Sequence, residues 1–128
     1  MGIVDVLVMK YVTGARMTAE ANAFKAGLGD MHNAPGAWMS TLVMDCLMGI
    51  MLVWLYAAIR PRFGAGMQTA VYAAIFMWLV GSFFTLGFAF MGMMSWGLWG
   101  MYAVIWLINL IISAGIGARI YSEDGAAA

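Results

Sequence analysis

Residues Ala37–Ile59 read AWMSTLVMDCLMGIMLVWLYAAI, a long apolar run whose one charged residue is Asp45. A helix rises about 1.5 Å per residue and a bilayer core is about 30 Å thick, so about 20 apolar residues cross it. This run is long enough. In hydrocarbon the backbone must satisfy its own hydrogen bonds, which a helix does within one segment. Two further stretches meet the same test: Met67–Met91, MQTAVYAAIFMWLVGSFFTLGFAFM, and Leu98–Ile120, LWGMYAVIWLINLIISAGIGARI. The expected fold class is therefore all-α: a polytopic transmembrane helix bundle in a single domain.

The composition agrees. Of 128 residues, 65% are hydrophobic and 9% charged, with a mean hydropathy of +0.91. Soluble domains run nearer half apolar and a quarter charged. A chain this small could not hide so much apolar surface from water. Net charge is zero and no basic cluster is visible, which speaks against nucleic-acid binding. Cys46 is the single cysteine, so an intramolecular disulfide and any multi-cysteine metal site are excluded. We read it as a small packing residue.

Before the Ala37–Ile59 run, Gly2–Met17 (GIVDVLVMKYVTGARM) is apolar but short, and carries Asp5 and Lys10. With no basic stretch before its apolar part, it does not read as a signal peptide. It reads as a short span with its charges facing protein; an interfacial helix is the alternative. Thr18–Gly36 is expected to be an external loop with a short helix over Thr18–Ala26, ended by Gly27-Leu28-Gly29 and Asn33-Ala34-Pro35-Gly36. Arg60–Gly66 and Gly92–Gly97 are tight connectors.

Lys and Arg set orientation in membranes. Arg60 and Arg62 place the Arg60–Gly66 connector in the cytoplasm, and Arg119 falls at the same side. The tail, residues 121–128 with Ser122-Glu123-Asp124-Gly125, is then cytoplasmic. Trp38, Trp96 and Trp99 fall near the outer boundary and Tyr56 and Tyr121 near the inner one, as in an aromatic belt.

Asp45 is the feature that asks for an explanation, because an ionisable group in a span is costly and often functional. It lies about 12 Å from the outer end of its helix. Lys10 has a matching depth, within about one turn, if the first segment spans. A Lys10–Asp45 ion pair is thus expected, with Asn109 as a second hydrogen-bonding candidate. A protonated Asp45 donating to a carbonyl is the alternative. Such pairs lock helices together. A proton path would need more titratable groups than the spans contain.

Small residues at four-residue spacing mark close helix approach: Ala70 and Ala74, Ser113 and Gly117, Ala114 and Ala118. Gly49, one turn after Asp45, leaves room for a neighbour to reach the carboxylate. His32 is the only histidine and sits in a loop. With Met31, Met91, Met93 and Met94 it would form an outer group of soft ligands suited to Cu(I). Methionine also simply fills apolar gaps, and that reading is preferred. No cofactor is expected, copper or a pigment being the alternatives. No nucleotide loop, zinc-protease helix, Ser–His–Asp set or pair of hydrolytic acids is present, so the chain does not read as an enzyme.

One block is specific. Asp45-x-x-x-Gly49 followed by Val53-Trp54-Leu55-Tyr56-Ala57-Ala58-Ile59-Arg60-Pro61-Arg62-Phe63-Gly64-x-Gly66 resembles the signature of a family of small bacterial integral membrane proteins of about four helices. Gly117-Ala118-Arg119-Ile120-Tyr121 is similar to that family's last helix. The family has a longer apolar segment before the pair that resembles Val4-Asp5. The resemblance implies a four-helix membrane fold and a bacterial origin, and no activity.

Three functional readings follow. The first is a non-catalytic accessory subunit of a larger bacterial membrane complex, photosynthetic or respiratory. The second is a small oligomeric transporter or channel using Asp45. The third is a metal- or pigment-binding membrane protein. The expected partners are lipid and other membrane subunits, or further copies of the chain.

Overall fold

The computed structural model describes residues 7, 9–32, 34 and 36–121, and of residues 9, 32 and 38 the backbone only. Gly2, Val4, Asp5, Asn33, Pro35, the tail from Ser122 and the side chains of His32 and Trp38 lie outside the described residues, together with the expectations placed on them.

All the regular structure among the described residues is helical. A π-helical turn at Met9–Thr13 leads into α1 (Gly14–Phe24), and a short α2 (Leu28–His32) follows. Three long helices come next: α3 (Ala37–Phe63), α4 (Met67–Phe90) and α5 (Trp96–Ile120). Each of the three is long and apolar enough to cross a membrane. Their polypeptide seals its own hydrogen bonds, and their apolar surface can face lipid.

The helix ends depart from the expected boundaries for local reasons. α3 runs on through Arg60, Pro61 and Arg62, which were expected in the connector. Proline lacks an N–H and disfavours a helical residue before it, but one missing bond in a last turn is tolerable. The turn closes with the Gly64 amide donating to the Arg60 carbonyl at 2.8 Å. α5 begins two residues earlier than expected because Ser95 caps it, its Oγ accepting from the Leu98 amide at 3.2 Å. α4 ends in a Schellman motif: the Met93 amide donates to the Phe88 carbonyl (3.0 Å) and that of Gly92 to the Ala89 carbonyl (3.1 Å). Gly92 stands at φ +73°, where a side chain would be strained.

α4 and α5 form the tightest pair, an antiparallel hairpin. Ala70, Ala73, Ala74 and Leu110 are fully buried and Ala114 nearly so. Small side chains let the backbones approach, and dispersion between close backbones drives association where lipid removes the hydrophobic incentive. Gly81 shows the tightness: a Cβ there would overlap the Trp106 ring. The Trp78 indole adds an interhelical hydrogen bond, Nε1–H donating to the Ala103 carbonyl at 2.8 Å. α3 joins through Leu52 and Tyr56, both buried. A Cβ on Gly117 would meet Val53 Cγ2 at 3.3 Å, so α3 and α5 also nearly touch here. Ala118 packs against the same core.

Tyr56 corrects an expectation. It is a core residue, 4% exposed, not an interfacial anchor. Its hydroxyl accepts the Gly66 amide at 3.1 Å, and its ring meets Tyr121 edge-on at 5.9 Å. Thr69 Oγ1 donates to the Gly64 carbonyl at 2.7 Å, so the α3–α4 turn is held from two sides.

The first helix also differs from expectation. The chain does not break after Met17 into a span and a separate surface helix; helix is continuous from Met9 to Phe24. Nothing between Met17 and Glu20 would stop it, since no Gly or Pro intervenes. α1 lies against the start of α5 and runs antiparallel to it. Two contacts fix this: the Tyr102 hydroxyl donates to Thr13 Oγ1 (2.9 Å), and Glu20 meets Ser95. α2 folds back on α1, with the Gly29 amide donating to Asn22 Oδ1 at 2.8 Å.

Candidate functional site

Two ends of the bundle differ in chemistry. At the arginine end, the Arg60 guanidinium lies 5.6 Å from the centroid of the Tyr121 ring and that of Arg62 lies 5.9 Å from Phe63. Arg119 is exposed nearby, in the last turn of α5. At the tryptophan end, Trp96 stacks edge-on with Phe90 (5.1 Å) and Trp99 (6.5 Å).

The tryptophan end carries an arrangement that sequence reasoning missed. The Glu20 carboxylate accepts from both the backbone amide and the hydroxyl of Ser95, each at 2.7 Å. In a capping box, a Glu at the third helical position reaches back to the N-cap amide. Leu98 holds that position here and cannot do so. Glu20, arriving from α1, takes the role and also places a negative charge at the positive end of α5. The Ser95 hydrogen bonds, backbone first, hold the Glu20 carboxyl below its usual range. Arg16 adds an ion pair at 4.0 Å. The only hint in the sequence is Ser95 before an apolar run with no acid three residues on.

Asp45 lies in the N-terminal half of α3, beside Ser113 of α5. A groove of about 510 Å³ opens there, lined by Asp45, Cys46, Gly49, Ile50, Leu52, Val53 and Ser113. Cys46 is exposed. The Oδ2 atom of Asp45 is buried and has no hydrogen-bond partner among the described residues. A Cβ on Gly49 would meet nothing within 4 Å, so among the described residues Gly49 packs against no other helix.

The expected Lys10–Asp45 ion pair is not formed. Among the described residues the ion pair is Arg16–Glu20. Lys10 is exposed, with its Nζ 5.3 Å from the centroid of the Tyr11 ring beside it. The reason is the path of the first helix, which docks on α5 through Thr13 and Glu20 and not on α3. Asn109 is buried in α5. The register set by Val53 against Gly117, carried back about two turns, brings Asn109 level with Asp45, yet Asn109 does not bond the buried Oδ2 of Asp45.

The remaining predicted residues separate into used and unused. Ala70, Ala74, Ala114, Gly117 and Ala118 pack as their spacing implied, while Ser113 lines the groove. Met31 and Met91 are exposed, and Met93 and Met94 half-buried. No group of three His, Cys, Asp or Glu able to hold a metal occurs among the described residues.

The comparisons add no relative. No family model matches the chain, and neither curated proteins nor solved structures include a match. The function must therefore be argued from the three apolar helices and the groove beside Asp45.

Proposed function

We propose that this chain is a non-catalytic accessory subunit that packs against and stabilises a larger bacterial membrane complex, of the photosynthetic or respiratory kind. One observation carries the reading: the apolar stretch of α3 has 11% of its residues buried within the chain, against 28% for α4 and for α5. That uncovered helix presents Asp45 and Gly49 beside exposed Met44, Leu47 and Ile50. Lipid suits the apolar residues but not a carboxyl group, whose natural neighbour in a membrane is a polar group of another protein segment. The arginine end faces the cytoplasm in this reading, following the charge rule. The resemblance of the Asp45–Gly66 block to small bacterial membrane proteins supports the bacterial setting.

A second reading, a small oligomeric transporter or channel, draws support from the groove itself, where Asp45, Cys46 and Ser113 supply polar atoms to an apolar cleft. Purification from native membranes in mild detergent, followed by mass spectrometry, separates the two. Co-purifying large subunits are expected. A homo-oligomer alone would favour transport, and a bound metal or absorbing pigment would replace both readings with a metal- or pigment-binding role.

A further inference from the structure

We infer that copies of this chain pair with one another across the Asp45 groove, the Lys10 ammonium of one copy seating on the Asp45 carboxylate of the next. The inference goes beyond the accessory role and does not depend on it.

Level is the first argument. Thr13 against Tyr102 and Glu20 against Ser95 fix the antiparallel register of the first helix on α5. One turn further along, Lys10 falls opposite Ile105. Asp45 is level with Asn109, about one turn deeper. A lysine side chain spans that difference. The cation and the anion therefore lie at matching depth on every copy.

Charge is the second. Among the described residues Asp45 Oδ2 is buried with no hydrogen bond, and the Lys10 ammonium lies over the face of Tyr11 with no carboxylate beside it. Around Lys10 the surface is apolar and exposed: Leu7, Tyr11 and Val12 are each at least half exposed. An ammonium and a carboxylate set separately in an apolar medium are both costly, and pairing relieves both at once. Among the described residues the docking of α1 on α5 leaves the two unpaired with each other.

Space is the third. Gly49 leaves the groove floor open to another backbone, and Ile50, Leu52 and Val53 supply apolar walls around the polar point. Each copy carries one donor and one acceptor site, so the contact closes as a two-fold dimer or a small ring.

The test uses K10E and D45K chains, each labelled for energy transfer and reconstituted in phosphatidylcholine liposomes at increasing dilution. Wild-type copies are expected to associate. Each variant alone, meeting like charge, should associate roughly five- to thirtyfold more weakly. An equal mixture of the two should recover wild-type association, because every contact between unlike copies joins opposite charges. A pair within one chain could not be rescued by mixing. Circular dichroism reports whether the variants keep their helices; if they do not, the neutral K10Q and D45N chains decide, each expected to weaken association at least about threefold. Wild-type chains that stay monomeric, a mixture no tighter than either variant, or neutral variants that associate like wild type would overturn the inference.

Discussion

Glu20 holds the first turn of α5 through Ser95, accepting its amide and its hydroxyl at 2.7 Å each across 75 residues of chain. Glu20→Ala should leave the Ser95 amide without a protein acceptor and remove a favourable charge from the α5 N-terminus. The expected loss is about 1 kcal/mol, modest because the carboxylate is partly exposed. Faster hydrogen exchange at residues 95–98, with exchange in the middle of α4 unchanged, checks it.

The same contact has a pH sign. The Ser95 hydrogen bonds lower the folded-state pKa of Glu20. A group depressed on folding adds stability above its unfolded pKa and loses it as pH falls through the folded value. Docking of α1 should therefore hold at neutral pH and loosen on acidification below about pH 4.3, the ordinary glutamate value. Limited proteolysis of residues 24–28 at stepped pH follows this, and Glu20→Gln should remove the dependence.

Two glycines should respond in opposite ways. Gly81→Ala drives a methyl group into the Trp106 ring, in a hairpin with no slack, and should cost about 1–3 kcal/mol. Gly49→Ala meets nothing within 4 Å among the described residues and should leave the stability of the isolated chain within about 0.5 kcal/mol. Denaturation in detergent compares them directly. In native membranes Gly49→Ala should nevertheless reduce association, since its methyl fills the groove floor.

Trp78→Phe should weaken the α4–α5 hairpin by about 0.6 kcal/mol, the average for one interhelical hydrogen bond in a membrane, and by no more than about 1.7 kcal/mol. The Ala103 carbonyl already accepts within its own helix, so the loss should not exceed that average. The unfolding midpoint in detergent measures it.

How much of this was legible in the sequence follows from the kind of information each feature needs. The three spans are properties of composition along a single stretch, and Ala37, Met67 and Ile120 are true helix ends. Small-residue spacing likewise exposed Ala70, Ala74 and Ala114, since burial on a helix follows its period. What failed required knowing which helix lies beside which. Tyr56 read as an anchor by depth alone, yet its rotation on α3 turns it inward to Gly66. Lys10 and Asp45 have matching depths, but docking of α1 on α5 keeps them apart. Arg60, Pro61 and Arg62 read as connector because the apolar run ends at Ile59, whereas the helix continues through them for one more turn.

The central claim is that protein covers the N-terminal half of α3 around Asp45. Benzoylphenylalanine placed at Ile50, exposed on the chain and lining the groove, tests it most directly after illumination of native membranes. Phe84 on α4, also exposed, serves as the comparison site. The account predicts discrete protein adducts from position 50 that are lost with Asp45→Lys. Lipid adducts alone from position 50 would contradict it.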